Sequence, residues 1–247
     1  MIKIIYTISL LFLSLTLSIA QRGVKEKVTF NSEDGIQITA DKYLINEEYP
    51  YILLFHQAGS SRGEFNEIAL RFQKLRYNCL AVDLRSGDNS NFVRNETARN
   101  LGSKGSSVKF LDAAQDIRAA IDFAWALNPK EVILLGSSYS ASLVMLEGKD
   151  NTNVKAVIAF SPGEYFGDDL RMEEEIDSSW SKPLFVAVTE REQPYVKQML
   201  INILEEDYTM FLPEKAAMHG AKALWEDSPS KDEYWLALLF YVNNLNK

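Results

Sequence analysis

Apolar and polar positions along this chain follow two periods. Tyr51–His56 (YILLFH) is a nearly continuous apolar run, and Asn78–Val82, Glu131–Leu135, Val154–Phe160 and Leu184–Val188 are runs of the same kind. Short unbroken runs of this sort predict strands buried on both faces of a parallel sheet. Between them apolar residues recur at helical spacing: Phe65, Ile68, Ala69, Phe72 and Leu75, then Leu111, Ala114, Ile117, Ile121 and Ala124. Further helices are predicted over Ser140–Glu147 and Tyr195–Glu205, a last strand over Tyr208–Leu212, and a closing helix on Trp235, Leu238, Leu239 and Val242. Near the start, Val28–Phe30 and Ile36–Tyr43 flank Asp34-Gly35, a hairpin turn signal. A hairpin followed by alternating strands and helices predicts an α/β fold, a mostly parallel central sheet with helices on both faces. Ser86–Ser107 reads as an irregular polar loop and Pro162–Lys182 as a short acidic cap segment. No linker or repeat interrupts the pattern, so residues 21–247 are expected to form one domain.

The first twenty residues stand apart. Lys3 precedes an apolar stretch from Ile4 to Leu17, and Ser18-Ile19-Ala20 offers small residues where a signal peptidase tests them. This predicts a secretory signal over residues 1–20, cleaved before Gln21, and an exported protein. The other reading is an uncleaved anchor, since the run approaches the ~20 residues that a span requires.

Charge and composition then narrow the function. Lys and Arg number 26 against 34 Asp and Glu, a formal charge of -8, and loss of Lys3 would make it -9. That acidity argues against a nucleic-acid partner, which requires a basic face. One Cys excludes an internal disulfide and a Cys-cluster zinc site, and two His exclude a site built from three imidazoles. Cys79 lies within a predicted buried strand and reads as an inert core thiol.

Active sites of such sheets lie beyond the carboxyl ends of the strands. After Leu135 comes Gly136-Ser137-Ser138-Tyr139-Ser140-Ala141 and then a helix. This fits the strand–turn–helix pattern G-x-S-x-G, with Ser140 in the place of the last Gly. The sharp turn brings helix against strand, so the positions two before and two after the nucleophile must be small. That selects Ser138 over Ser137. The competing reading is a serine-rich turn that merely caps a helix.

At these residues the sequence resembles the α/β-hydrolase superfamily, and within it the dienelactone-hydrolase-like branch of serine esterases. The resemblance runs over about residues 26–245 in element order. It is specific at FHQAGSSRGEF (55–65), VDLRSGDNS (82–90), LLGSSYSAS (134–142) and AMHGAKAL (217–224). The order of that family, nucleophile then acid then histidine, implies His219, the one His downstream of Ser138. It precedes Gly220, as in the family's His-Gly signature. The acid is expected after the strand Leu184–Val188, where the family carries G-E-x-D. Thr189-Glu190-Arg191-Glu192 overlays that run and gives the role to Glu192, with Glu190, and then Asp168 or Asp169, as alternatives.

The resemblance also implies an oxyanion hole made by the backbone N–H groups of Tyr139 and Ala58. Gln57 replaces the family's usual Gly, and its side chain is a candidate substrate contact. His56 precedes Ser138 and reads as a loop brace. The activity implied is that of an exported serine hydrolase that cleaves a small-molecule carboxylic ester through an acyl-enzyme, with no cofactor and no metal. A peptidase or thioesterase with the same residues is an alternative. So is a non-catalytic binding protein, which the departures at Gln57 and Ser140 would suit. Asn95-Glu96-Thr97 is a glycosylation sequon, and the acidic 162–182 segment reads as a solvated surface or a small lid that disfavours anions.

Overall fold

The computed structural model describes residues 23–102 and 108–245, so the leader expected over residues 1–20 lies outside the described residues. Strands β1 (Val24–Asn31) and β2 (Gln37–Leu44) form the antiparallel hairpin, and Gly35 turns it with φ +80°. Strand β3 (Tyr51–Phe55), helix α1 (Asn66–Lys74) and strand β4 (Asn78–Val82) follow. A two-stranded ribbon, β5 (Asn89–Ser90) and β6 (Val93–Arg94), leads into the short helix α2 (Glu96–Leu101). The rest of the chain alternates: α3 (Ala114–Leu127), β7 (Val132–Ser137), α4 (Tyr139–Lys149), β8 (Val154–Phe160), the one-turn α5 (Met172–Glu175), β9 (Leu184–Ala187), α6 (Gln193–Met199), β10 (Tyr208–Phe211) and α7 (Lys231–Asn244).

Eight strands form one sheet in the order β1-β2-β4-β3-β7-β8-β9-β10. The pairs β1–β2 and β2–β4 are antiparallel, and all the others are parallel. The unbroken apolar runs are explained by burial on both faces. Leu53 and Phe55 of β3 and Leu134 of β7 pack with α3 and α4, whereas Ile52, Leu54, Ile133 and Leu135 pack with α1 and α7. Among the described residues no helix is long and apolar enough to cross a membrane.

Two local expectations are corrected. The loop expected over Ser86–Ser107 contains the β5–β6 ribbon and α2. Two-residue strands carry no readable period, and α2 depends on its cap, where the Asn95 side chain accepts the Ala98 N–H at 2.8 Å. Helix α6 ends at Met199 rather than Glu205. Beyond Met199 the apolar residues no longer share one helical face: Leu200 and Ile203 are buried in the core, whereas Ile201 and Leu204 are exposed.

The chain runs from β3 to β4 on one side and later places β7 on the other side of β3. The strand order therefore reverses at the β3–β7 pair. A crevice opens beyond the carboxyl ends of strands at such a point. The loops after Phe55 and after Ser137 meet there.

Candidate active site

The elbow after β7 is tight. Ser138 has φ +60° and ψ -125°, a conformation that non-glycine residues rarely adopt and that costs about 1–3 kcal/mol. A Cβ on Gly136 would lie 2.4 Å from Ser140 O and 2.6 Å from the Ala141 backbone, so this position accepts only glycine. Ser140 is fully buried, and its hydroxyl does work that a glycine could not. It donates to Phe55 O at 2.7 Å and accepts the Ser137 N–H at 2.9 Å, tying the elbow to the neighbouring strand β3. The departure from the G-x-S-x-G pattern is thus an added tether. Ser137 turns inward, where its hydroxyl accepts the Ala221 N–H at 2.8 Å. Ser138 turns the other way, toward His219.

The structure brings Ser138, His219 and Glu192 into one hydrogen-bonded chain. His219 Nε2 lies 2.8 Å from Ser138 Oγ, and His219 Nδ1 lies 2.6 Å from Glu192 Oε1. A carboxylate can only accept, so Nδ1 carries a proton and Nε2 of the neutral ring accepts from the serine hydroxyl. The second carboxylate oxygen is also held: Glu192 Oε2 accepts the Thr189 N–H at 2.8 Å and the Ser161 hydroxyl at 2.9 Å. Burial pushes the Glu192 carboxyl up, but the hydrogen bonds from His219, Thr189 and Ser161 outweigh it and hold the group below its ordinary value. The side chain of His219 is 47% exposed, so the imidazole stands at the mouth of the site.

The alternative acids lie elsewhere. Glu190 is exposed and takes no hydrogen bond from the described residues. Asp169 is held by Lys109 at 2.8 Å on the surface, and Asp168 is exposed.

The loop after β3 is rigidly braced. Buried Glu64 accepts the Gln57 N–H at 3.1 Å, and its own carbonyl accepts the Trp225 indole N–H at 2.8 Å. With Gln57 tied down, the next N–H, that of Ala58, meets no acceptor among the described residues. Tyr139 opens helix α4, where the first N–H groups have no partner within the helix. These two N–H groups follow the adjacent strands β3 and β7, one on the loop after β3 and the other at the first residue of α4. The Gln57 amide oxygen is buried and lies where a Gly220 Cβ would approach it to 2.9 Å, so it packs beneath the His219 loop.

His56 is fully buried. Its Nδ1–H donates to Gln57 O at 2.8 Å and its Nε2 accepts the Leu84 N–H at 2.9 Å. Burial pushes it below its ordinary value, so it is neutral and serves the β3 and β4 loops. Asn95 is buried, bonded to Leu84 O at 2.8 Å, and caps α2, so the sequon asparagine offers no free amide. Cys79 is enclosed, and burial pushes its thiol up, away from reactivity. Arg62 joins Asp83, Asp41 (3.0 Å) and Glu96 (2.8 Å). Arg85 joins Asp34 (2.7 Å) and Asp116 (2.6 Å). Arg62 and Glu64 of the SSRGEF segment and Asp83 and Arg85 of the VDLRSGDNS segment are therefore braces for the loops around the site. The acidic cap is ordered by one of its own acids, Glu164, which accepts the N–H groups of Met172 (2.7 Å) and Glu173 (2.9 Å) at the start of α5. Among the described residues no three His, Cys, Asp or Glu side chains converge as metal ligands.

Similar arrangements of elements occur in solved structures. An esterase of Pyrococcus furiosus superposes with a TM-score of 0.67 at 15% identity, covering 90% of each chain. A dienelactone hydrolase of Anabaena variabilis gives 0.66 at 16% identity over 90% of this chain and 98% of its own. An acylaminoacyl peptidase of Pyrococcus horikoshii gives 0.61 at 16% identity over 92% of this chain, but 42% of its own. This chain has the α/β-hydrolase fold. No protein-family model and no curated protein sequence matches it. In this fold Ser138 occupies the turn after the strand next to the switch point, and Glu192 and His219 lie on loops further outward, after β9 and β10, past the loop after β8.

Sequence reasoning missed Ser161. It directly follows β8 and has φ +53°, and its hydroxyl touches both the Glu192 and the His219 loops. A polar residue at the carboxyl end of an apolar strand, just before Pro162, was the available signal.

Proposed function

We propose that this chain is a serine hydrolase that cleaves a carboxylic ester through an acyl-enzyme. Ser138 is the nucleophile, His219 the base and then the acid, and Glu192 the carboxylate that orients the imidazole. The observation that carries this reading is the unbroken chain from Ser138 Oγ to His219 Nε2 (2.8 Å) and from His219 Nδ1 to Glu192 Oε1 (2.6 Å). As Ser138 attacks the acyl carbon, its proton passes to Nε2, and Glu192 stabilises the imidazolium. Charge develops on the carbonyl oxygen, and the N–H groups of Tyr139 and Ala58 are the donors proposed to receive it. His219 then protonates the leaving alcohol. Water, deprotonated by the same imidazole, attacks the acyl carbon; the Oγ–acyl bond breaks, Ser138 Oγ takes the proton back from His219, and the acid is released.

The named activities of the similar structures, esterase and dienelactone hydrolase, support the same reaction class. Ser140, one of the two departures that would suit a binding protein, ties the elbow to β3 instead of leaving it loose. The reading includes export: the leader over residues 1–20 is proposed to be removed before Gln21.

A panel of short- and long-chain aryl esters, sugar acetates and aminoacyl amides tests the proposal with the mature chain. Turnover of an ester is expected. Ser138→Ala and His219→Ala should each lower it by about 10³-fold or more. Undiminished hydrolysis by Ser138→Ala would refute the assignment.

A further inference from the structure

Ser161 sits in the left-handed region at φ +53°, where a side chain is disfavoured and glycine is at ease. The chain nevertheless carries a serine there, and every polar atom of that serine is engaged. Its N–H donates to Ala187 O at 2.8 Å, extending the β8–β9 ladder by one bond. Its carbonyl accepts the Tyr165 hydroxyl at 2.9 Å. Its own hydroxyl donates to Glu192 Oε2 at 2.9 Å and accepts the Gly220 N–H at 2.9 Å. One hydroxyl thus joins the loop after β9, which carries Glu192, to the loop after β10, which carries His219.

Glu192 is bonded at both oxygens, and Ser161 supplies one of the two donors on Oε2. Gly220 is the residue next to His219 and has φ +69°. A backbone that can turn so sharply is held in place by two neighbours: Ser161 Oγ takes its N–H, and Ser137 Oγ takes that of Ala221. Strain of this kind persists only where surrounding bonds fix it, and here those bonds converge on the proposed acid and base.

We infer that Ser161 is a positioning residue of the reaction: its hydroxyl holds Glu192 and the His219 loop in register, and so sets the orientation and basicity of the imidazole. The inference rests on the serine-hydrolase reading above. Besides His219, the titratable groups that act with Glu192 are the phenols of Tyr165 and Tyr234. Burial pushes both above their ordinary values, so they are neutral near pH 7 and leave the acid side of a rate profile to the imidazole.

The variants Ser161→Gly and Ser161→Ala separate a catalytic from a structural role. Glycine relieves the backbone strain while removing the hydroxyl; alanine removes the hydroxyl and retains the strain. Ser161→Gly is expected to melt no lower than the parent, yet to lose about 10-fold or more in kcat with KM within about threefold. Without its Ser161 donor the carboxylate is more basic and holds the imidazolium proton more tightly. The acid limb of kcat/KM should therefore move to higher pH in both variants. A Ser161→Gly protein with parental kcat and an unmoved acid limb overturns the inference. So does a loss of kcat that merely tracks a lowered melting temperature with the acid limb in place. If the parent itself hydrolyses no ester, or Ser138→Ala is as active as the parent, it is the serine-hydrolase reading that has failed, and this inference falls with it.

Discussion

Glu192 spends one oxygen on His219 and the other on Thr189 and Ser161, and this division makes it more than a nearby charge. Its bonds favour the ionised form, so the carboxyl is held below its ordinary value. The part of folding stability linked to this shift is therefore present above the unfolded carboxyl value of about 4.3 and is lost as pH falls through the lower folded value. Replacing the carboxylate with an amide keeps the shape but removes the charge that fixes the imidazole tautomer. Glu192→Gln is expected to lower kcat by roughly 10²–10⁴ with little change in KM. Glu190 is exposed and takes no hydrogen bond from the described residues. Glu190→Gln should change kcat less than about threefold, since surface substitutions away from such contacts do little. Steady-state rates for both variants on one ester decide between them, and a crippled Glu190→Gln would move the role two residues back. The two glutamates were ranked in the sequence only by overlaying T-E-R-E on a family pattern. Composition and spacing could not separate them, because the difference lies in which side chain the loop turns inward.

The elbow is the element on which the proposed site depends, and its backbone explains the residues it carries. Helix α4 starts one residue after Ser138 and crosses close to the end of β7, leaving no room at Gly136. Gly136→Ala would press a methyl group into the backbone of Ser140 and Ala141, and neither can rotate away. A cost of about 1–3 kcal/mol or more is expected. The thermal midpoint should then fall by several degrees, at roughly 2–4 °C per kcal/mol for a chain of this size. An unchanged melting curve would mean that the turn is looser than described. Elements of this kind were legible in the sequence: the buried strands announced themselves as unbroken apolar runs, and small residues around Ser138 marked the turn. The β5–β6 ribbon, α2 and the early end of α6 were not, because a cap at Asn95 and the outward direction of Ile201 and Leu204 decided them. Ser161 was hidden for a similar reason. Its role arises from where three loops meet; the polar residue before Pro162 marks a strand end, but its contacts to the Glu192 and His219 loops are non-local.

At the scale of the whole molecule, the strand order puts the chemistry where it is. The reversal between β3 and β7 brings the N–H of Ala58, unpaired among the described residues, and the Ser138 elbow to the same end of the sheet, and β9 and β10 deliver Glu192 and His219 in turn. Beyond the sheet, the leader proposed over residues 1–20 bears on where the chain would act. Expressed in a secreting host, the exported protein should begin at Gln21 by N-terminal sequencing, and an exported form that still contains Lys3 would contradict the cleaved signal. The central claim, that Ser138 is activated by His219 and Glu192, is tested most directly by covalent labelling. Mature protein treated with a fluorophosphonate probe should gain one adduct by intact mass, mapped by peptide sequencing to Ser138 and absent in Ser138→Ala. No adduct under conditions that label a known serine esterase, or an adduct on Ser137 that survives in Ser138→Ala, would contradict it.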